Sequence, residues 1–300
     1  MLSDSTSLLL NGGDNRMRAS SAKANAFAIA ATVAVCASLA LVQSAPAEPQ
    51  GPPPWQRTES RADCTDYEPL RTPLFGETHV HTTYSFDAVS GDVRSGPRDA
   101  YDFAKGSAID LPPYDAGGVA QRSTQLRRPI DFVAVTDHAE TIGEVQICQN
   151  PVHPNYNDPI CVNFRDAIPQ ESQVAGVGVV IFGVLTAVPS PARFDFCGVD
   201  GSVCSQEASL VWQDMQDAAE EHYDRSDACG FTSFVGYEWT GNPATQNIHR
   251  NVIFRNEDVP SLPTSYMEEP TPEGLHAALT SGCLDAVDDC DVLIIPHNSN

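Results

Sequence analysis

Four apolar segments of strand length in this sequence lead into histidine or glutamate, and this feature constrains the fold most. Polar groups at the end of a buried strand cost free energy unless they bind something there. In a parallel α/β barrel the C-terminal ends of the strands converge on one face. We therefore predict that these side chains meet in space. The segments are residues 74–81 with His79 and His81, residues 130–135 before His138, residues 231–237 before Glu238, and residues 292–295 before His297.

Helical segments alternate with these strands. Pro97 fits a first helical turn that Gly106 can end, and Thr271-Pro272 begins another helix that ends near Gly282. Residues 206–223 place apolar side chains on one helical face. The alternation predicts an α/β fold with a largely parallel sheet.

Two stretches interrupt this alternation. Residues 107–128 are predicted to be a loop. Residues 140–205 are rich in Pro, Gly and Asn and carry four cysteines, so we predict a long insertion with room for one strand near residues 179–185.

The N-terminal region predicts export. Residues 1–47 contain basic residues, a largely uncharged run over residues 24–42 and the small residues of a cleavage site at 45–47. The alternative is an uncleaved anchor, because the run is just long enough to span a bilayer. Residues 48–72 are Pro-rich and polar and predict a linker, so residues 73–300 carry the fold. We expect a secreted or periplasmic protein.

The charge balance limits the partners. The chain has 17 basic and 40 acidic residues, a net charge of −23. Such a surface repels polyanions, which argues against nucleic acid or an anionic membrane as the main partner. A small-molecule substrate is the remaining expectation.

The cysteines agree with export. Cys36 lies in the predicted signal and leaves eight others, an even number that favours disulfides in an exported chain. Closeness in sequence suggests three pairs and leaves two cysteines over, although some of the eight could instead be free buried thiols. A zinc knuckle would need CxxC spacings, which do not occur. The pairs are Cys148–Cys161, Cys197–Cys204 and Cys283–Cys290, with Cys64 and Cys229 remaining.

His79-Val80-His81 is a candidate metal-binding pair. Residues two apart in a strand point to the same side, so both imidazoles can reach one ion. A lone pair of this kind is weak evidence, but Asp87 offers a carboxylate in the loop that follows. The alternative for Asp87 is an ordinary turn residue.

The other candidate ligands are His138, Glu238, His249 and His297. Each has an ordinary alternative, such as a salt-bridged glutamate or a surface or core histidine. Asp137 can bind metal, fix the His138 tautomer from behind, or cap a helix. The joint occurrence of these residues at strand ends favours a metal site over the separate alternatives.

Five short motifs, HVH, TDHAE, GYE, NIH and IPH, stand in this order along the chain. They lie within the longer strings LFGETHVHTTYSFDA, RPIDFVAVTDHAE and GYEWT followed by NIHRNVIF, and DAYDFAKG stands between the first two. Together they resemble the polymerase-and-histidinol-phosphatase (PHP) superfamily of metal-dependent hydrolases. The longer strings are similar to a secreted branch of it known only as a domain of unknown function. The resemblance covers most of residues 73–300.

The resemblance implies a distorted seven-stranded (β/α) barrel that holds two or three divalent ions. Mixed histidine and carboxylate ligands suit Zn²⁺, Mn²⁺ or Fe. A metal-bridging hydroxide would then hydrolyse a phosphoester. The resemblance implies that His79 and His81 bind one ion, that His138 binds another and that Glu238 bridges them, while His249 and His297 complete the cluster. It also implies that Asp137 or Glu140 orients the ligands. Arg250 would bind a phosphate oxygen, although it could equally be a surface charge.

Two departures from the family pattern leave alternatives open. The long cysteine-bearing insertion is absent from minimal members, and a final D-x-H motif is missing because the sequence stops at Asn300. The resemblance therefore implies the front part of a longer, truncated barrel. One alternative is an amidohydrolase-type enzyme, which also begins with HxH but uses a lysine bridge. The other is an inactive metal-binding protein that lacks the last ligands.

Overall fold

The computed structural model describes residues 61–297, apart from residues 69, 71 and 169–176. The predicted export signal, residues 1–47, lies outside the described residues, as do residues 48–60 of the predicted linker. No helix in the described part is long and apolar enough to cross a membrane.

The described residues form a mixed α/β structure, with several short sheets and helices packed around them. The strands are β1 (Gly76–Val80), β2 (Ile109–Tyr114), β3 (Ala120–Thr124), β4 (Phe132–Val135), β5 (Thr232–Phe234), β6 (Gly236–Trp239), β7 (Arg250–Phe254) and β8 (Val292–Pro296). The α-helices are α1 (Phe86–Ser90), α2 (Pro97–Ala104), α3 (Ile142–Gln149), α4 (Pro159–Ala167), α5 (Val177–Thr186), α6 (Ser202–His222) and α7 (Pro272–Leu279).

The first sheet is parallel, as the sequence predicts. Strand β4 lies between β1 and β5, and Phe132 is opposite Gly76 on one side and Thr232 on the other. The last three residues of β4, Val133 to Val135, are all buried, which is typical of a parallel strand covered on both faces. A side chain at Gly76 would collide with the carbonyl oxygen of Phe132, so glycine permits the close approach of β1 and β4.

The expectation of a largely parallel sheet fails for the second half of the fold. Strands β6, β7 and β8 pair antiparallel, with Asn251 opposite both Glu238 and Ile295. Residues 240–249 alone connect β6 to β7, whereas a parallel connection needs a crossover of about a dozen residues or more. The described residues form no closed barrel, so the implied (β/α) barrel is not confirmed.

One predicted strand, residues 231–237, is divided between the two sheets. Strand β5 pairs with β4, the strand is interrupted at Val235, and β6 then pairs with β7. A Cβ at Gly236 would lie 2.9 Å from the carbonyl oxygen of Val252, so glycine suits the crossing point. This interruption places Glu238 beside His138, and a parallel β-bridge between these two residues joins the two sheets.

The prediction of a loop over residues 107–128 is wrong, because β2 and β3 form an antiparallel hairpin there. The turn is encoded by Asp115, whose Oδ1 accepts hydrogen bonds from the amides of Gly117 and Val119 at 2.9 Å each. Gly118 has a φ of +79°, which favours glycine. The Pro112-Pro113 pair in β2 conceals the strand, because proline normally argues against one.

The predicted strand near residues 179–185 is also wrong, because this stretch forms helix α5. A short apolar run does not distinguish a buried strand from a buried helix by periodicity. Tertiary contacts decide here, since the Phe182 ring lies 4.6 Å from that of Phe164 and 5.5 Å from that of Phe194. Residues 140–205 are called the insertion below, and their described part contains helices α3, α4 and α5 and the start of α6.

The predicted disulfides are confirmed, and the two cysteines that remain after pairing by closeness in sequence, Cys64 and Cys229, also form a disulfide. The structure joins Cys64 to Cys229, Cys148 to Cys161, Cys197 to Cys204, and Cys283 to Cys290. The second and third of these lie in the insertion, where they contribute to an apolar cluster around Phe164 and Phe182. A larger core packs helix α6, through Trp212 and Met215, against both sheets.

Candidate metal centre

The ends of the strands bring together the residues that the sequence singles out. His79 lies in β1, and His81 follows it directly, while His138 comes three residues after β4. Glu238 lies within β6. His249 precedes β7 and His297 follows β8, and the amide of His297 donates to the carbonyl oxygen of His249 at 3.0 Å. The two sheets thus supply ligands to one site.

Glu238 stands at the centre of this site. Its side chain is 1% exposed, and each of the five predicted histidine ligands places a ring nitrogen close to it. The distances to Glu238 Oε2 are 3.3 Å from His79 Nε2, 2.8 Å from His81 Nε2 and 3.3 Å from His138 Nδ1. The distances to Oε1 are 2.9 Å from His249 Nδ1 and 3.3 Å from His297 Nε2.

Asp87 adds a second carboxylate. Its Oδ2 lies 2.9 Å from His81 Nδ1 and 3.4 Å from His138 Nε2. The ligand atoms fall into three overlapping groups, each within 4.8 Å. The groups are His79–His81–Glu238, His81–Asp87–His138 and Glu238–His249–His297. These seven residues are called the ligand cluster below.

Unpartnered polar atoms test whether metal ions fit the ligand cluster. Among the described residues, neither carboxylate oxygen of Glu238 accepts a hydrogen bond, although imidazole nitrogens surround them. The nitrogens His249 Nδ1 and His297 Nε2 are also buried without a hydrogen-bond partner. Buried polar groups are nearly always satisfied, and such groups cost free energy when they are not. Imidazole and carboxylate lone pairs that converge in this way fit divalent cations.

The electrostatics of the cluster also favour bound cations. Burial opposes ionisation of Glu238, but the surrounding histidines, His138 foremost, hold the pKa of its carboxyl well below the usual range. Burial likewise disfavours charge on His81, yet Asp87 and Glu238 raise its pKa to about 10. The carboxylates of Glu238 and Asp87 therefore create a site that stabilises positive charge, whether on a protonated imidazole or on a metal ion.

A comparison with known protein families identifies the family of this chain. Residues 68–300 match the family described as protein of unknown function (DUF3604). The chain belongs to this family. No curated protein and no solved structure matches it.

Two neighbours of the ligand cluster in this DUF3604 chain were missed in the sequence. The hydroxyl of Thr240 lies 2.6 Å from His138 Nδ1, and the side-chain oxygen of Asn242 lies 2.8 Å from His249 Nε2. Such partners fix the ring orientation of a ligating histidine. Both residues stand in the Thr-Gly-Asn run after β6, which carries only the signal of a turn.

Asp137 lies behind the ligand cluster rather than in it. Its Oδ1 accepts from the Thr82 amide at 2.6 Å and from the Ser85 hydroxyl at 2.7 Å, and its Oδ2 accepts from the Thr82 hydroxyl at 2.7 Å. These bonds fix the loop between β1 and α1. The loop includes His81 and leads into α1, where the structure places Asp87 rather than in the loop expected from sequence, so Asp137 positions ligands.

Glu140 is a second buried carboxyl next to the cluster. Its Oε1 accepts from the amides of Thr240 at 2.7 Å and Tyr266 at 3.1 Å, and burial raises its pKa to about 8. It therefore holds the turn that carries Thr240 beside His138.

Arg250, the candidate for gripping a phosphate oxygen, faces another way. One of its Nη atoms donates to the carbonyl oxygen of Ile248, and its guanidinium carbon lies 5.5 Å from the centre of a Trp239 ring. It is not among the residues that line the cavity over the ligand cluster.

The remaining histidines and cysteines offer no competing site in the described residues. His276 is exposed on α7, whereas His153 and His222 are half-buried and lie near Glu207 and Asp102. One further group of ligand-type residues, Glu144, Cys197 and Cys204, lies together in the insertion. Its two sulfurs form a disulfide and cannot act as thiolate ligands.

A cavity of about 890 Å³ opens above the ligand cluster. The ligands form its base, and helix α5 of the insertion forms part of its wall. Its lining residues are Glu77, His79, His81, Phe86, Asp87, His138, Val180, Gly183, Val184, Thr186, Glu238, Thr240, Asn242 and His249.

Proposed function

We propose that this chain is a secreted metal-dependent hydrolase of phosphoesters, related to the PHP superfamily. The observation that carries the proposal is Glu238, a buried carboxylate that accepts no hydrogen bond from the described part of the chain and lies within 3.3 Å of five imidazole nitrogens. The motif order that resembles the superfamily supports the proposal, because those motifs meet in space. Four disulfides agree with an oxidising compartment outside the cytoplasm.

The overlapping ligand groups support two or three ions. Glu238 belongs to two of the groups and can bridge ions held by each. The donors suit Zn²⁺, Mn²⁺ or Fe. When bound, such ions lower the pKa of water toward about 7 and neutralise charge that develops on a phosphoryl group.

The chain's own residues prepare the site for that chemistry. Thr240 and Asn242 hold the rings of His138 and His249, so those two ligands need little reorganisation. Asp137 fixes the loop that leads into α1, the helix that carries Asp87. The cavity is large enough for a small molecule, and the net charge of −23 disfavours nucleic acid as substrate.

Lysine placement argues against the amidohydrolase alternative. The chain has two lysines, Lys23 and Lys105. Lys105 lies 3.5 Å from Asp102 and 2.5 Å from His222, and it does not line the cavity. A carboxylated lysine therefore cannot bridge ions among the described residues.

The test is metal analysis combined with a broad phosphoester panel, using the full-length gene product. We expect at least two divalent ions per chain and metal-dependent turnover. His79→Ala should lose both metal and turnover, whereas His276→Ala, the exposed control on α7, should keep both. Metal without any turnover would support the non-catalytic alternative, and loss of metal in His276→Ala would mean that the ions bind to histidines outside the ligand cluster.

A further inference from the structure

Helix α5 is apolar on all sides. Its sequence, VGVVIFGVLT, has no polar side chain before Thr186. The Phe182 side packs into the apolar cluster of the insertion against Phe164. A helix that is hydrophobic all round is normally buried on every side.

The other side of α5 faces the cavity and is left open. Val180 and Val184, one helical turn apart, are 65% and 51% exposed, and both line the cavity with Gly183 between them. Phe86 adds an aromatic ring to the lining and stacks on His138 at 4.5 Å. Contiguous exposed apolar surface in a cleft is typical of a ligand-binding wall.

The charges in the cavity are segregated from this wall. No lysine or arginine is among the described lining residues, and the charged groups belong to the ligand cluster or to Glu77 beside it. A second anionic group on a substrate would find no counterion against α5. An apolar group would instead remove the exposed valines from water.

We propose that Val180, Gly183, Val184 and Phe86 form an apolar subsite that binds the alkyl or aryl group of a monoester, while the ligand cluster holds its phosphoryl end. This inference rests on the proposed function for the phosphoryl end. It narrows the substrate class to phosphoesters of hydrophobic alcohols or phenols. Sugar phosphates and nucleotides are disfavoured because their polar groups would face the valines.

The experiment measures binding and turnover separately along one chemical series. Alkylphosphonates from methyl to heptyl bind without being hydrolysed, so calorimetry on the metal-loaded full-length protein reports the subsite alone. The matching monoalkyl phosphates report turnover. We expect Kd to fall about fourfold for each added methylene that the wall covers.

The double variant Val180→Thr/Val184→Thr assigns the effect to α5, because threonine keeps the branched shape and adds a hydroxyl. Heptylphosphonate should bind about tenfold more weakly to it, while methylphosphonate binding and metal content stay unchanged. Val152→Thr is the matched control, since Val152 is exposed in the same insertion and does not line the cavity.

The outcomes separate this inference from the proposed function. A Kd that does not vary with chain length, no binding at any length, or an unchanged series in the double variant would overturn the apolar subsite. Chain-length-dependent binding without hydrolysis of any phosphate ester would leave the subsite standing and overturn the proposed function.

Discussion

The base and the wall of the cavity are built on different physical principles. The ligand cluster lies at strand ends that are fixed by sheet pairing and by buried carboxylates, such as Asp137 with its bonds to Thr82 and Ser85. The insertion has no strands among its described residues. It is held by two disulfides, by the cluster around Phe164 and Phe182, and by Arg193, which lies 2.7 Å from Glu144.

This difference implies a division of roles. Sheet pairing fixes the distances between ligand atoms, on which metal binding depends. Disulfides and apolar packing stabilise the wall without contributing ligand atoms, so the wall can vary in sequence while the chemistry at the base is kept. Changes to the base should therefore alter metal content, and changes to the wall should alter stability and the binding of apolar groups.

The largest effect is expected at the centre of the base. Glu238→Gln keeps the side-chain shape but removes the charge, and Glu238 belongs to two of the three ligand groups. Metal affinity should fall by more than about 100-fold, since loss of an orienting partner alone costs about 10- to 100-fold. Metal per chain, measured by inductively coupled plasma mass spectrometry after dialysis, should approach zero.

Asp87→Asn is the matched comparison, because Asp87 belongs only to the group with His81 and His138. It should lose part of the metal and keep the ion held by Glu238, His249 and His297. Full metal content in Glu238→Gln would refute the central place of this carboxylate.

The next largest effect lies in the wall. Cys148→Ala/Cys161→Ala opens a loop with a sequence separation of 13, and the chain-entropy account assigns such a loop about 3 kcal/mol. Urea unfolding should show this loss while the metal content stays that of the wild type. The control pair, Cys283→Ala/Cys290→Ala, lies outside the insertion with a separation of 7 and should lose about 2 kcal/mol. Loss of metal with the Cys148–Cys161 bond would show that base and wall are not separable.

The residues of the base could be predicted from sequence because their signal is local. Each candidate ligand except Asp87 and His249 stands in or just after an apolar run, and the end of a buried strand is an expensive place for a polar side chain. The structure places all seven candidates together. The sequence left several roles open for Asp137 and Arg250 and could not decide between them, because the direction of a side chain depends on neighbours distant in sequence, such as Ser85 and Trp239.

The fold was predictable only in part. The parallel pairing of β1, β4 and β5 follows from their apolar runs. The antiparallel direction of β7 depends on the short connection after β6, and the pattern of apolar runs does not indicate strand direction. The sequence predicts a strand where helix α5 forms because valine-rich runs favour strands, but packing around Phe182 overrides that preference.

A smaller effect is expected where the insertion docks on α6. Gly143 lies in the first turn of helix α3 against Cys204, and a Cβ at this position would collide with the carbonyl oxygen of Cys204. The disulfide to Cys197 restricts the retreat of Cys204. Gly143→Ala should therefore lower the free energy of unfolding by about 2 kcal/mol through overpacking.

Gly282→Ala provides the control for that substitution, because its added Cβ meets no described atom within 4 Å beyond its chain neighbours and its own helix backbone, and its φ is not in the left-handed region. Its free energy of unfolding should match that of the wild type or rise slightly. Both variants should keep their metal. Equal stability of Gly143→Ala and Gly282→Ala would mean that α3 can move away from α6, and that the wall is less rigid than its contacts indicate.

The smallest effect is expected where wall and base touch. The side-chain oxygen of Asn242 accepts a hydrogen bond from His249 Nε2 at 2.8 Å, and its side-chain nitrogen donates to the Thr186 hydroxyl at the end of α5 at 2.9 Å. Thr186→Val removes the second bond and keeps the first, so it should cost about 1 kcal/mol of unfolding free energy. Asn242→Ala removes both and should weaken the metal affinity about tenfold as well, since His249 loses its orienting partner.

Zinc titration with a competing chelator distinguishes these two variants. If Thr186→Val weakens metal binding as much as Asn242→Ala does, then α5 helps to hold the ligand His249, and the wall contributes to the chemistry of the base. If Thr186→Val binds zinc as the wild type does, the contact between Asn242 and α5 does not affect metal binding by the ligand cluster. In that case the wall can change its apolar surface without disturbing the metal ligands.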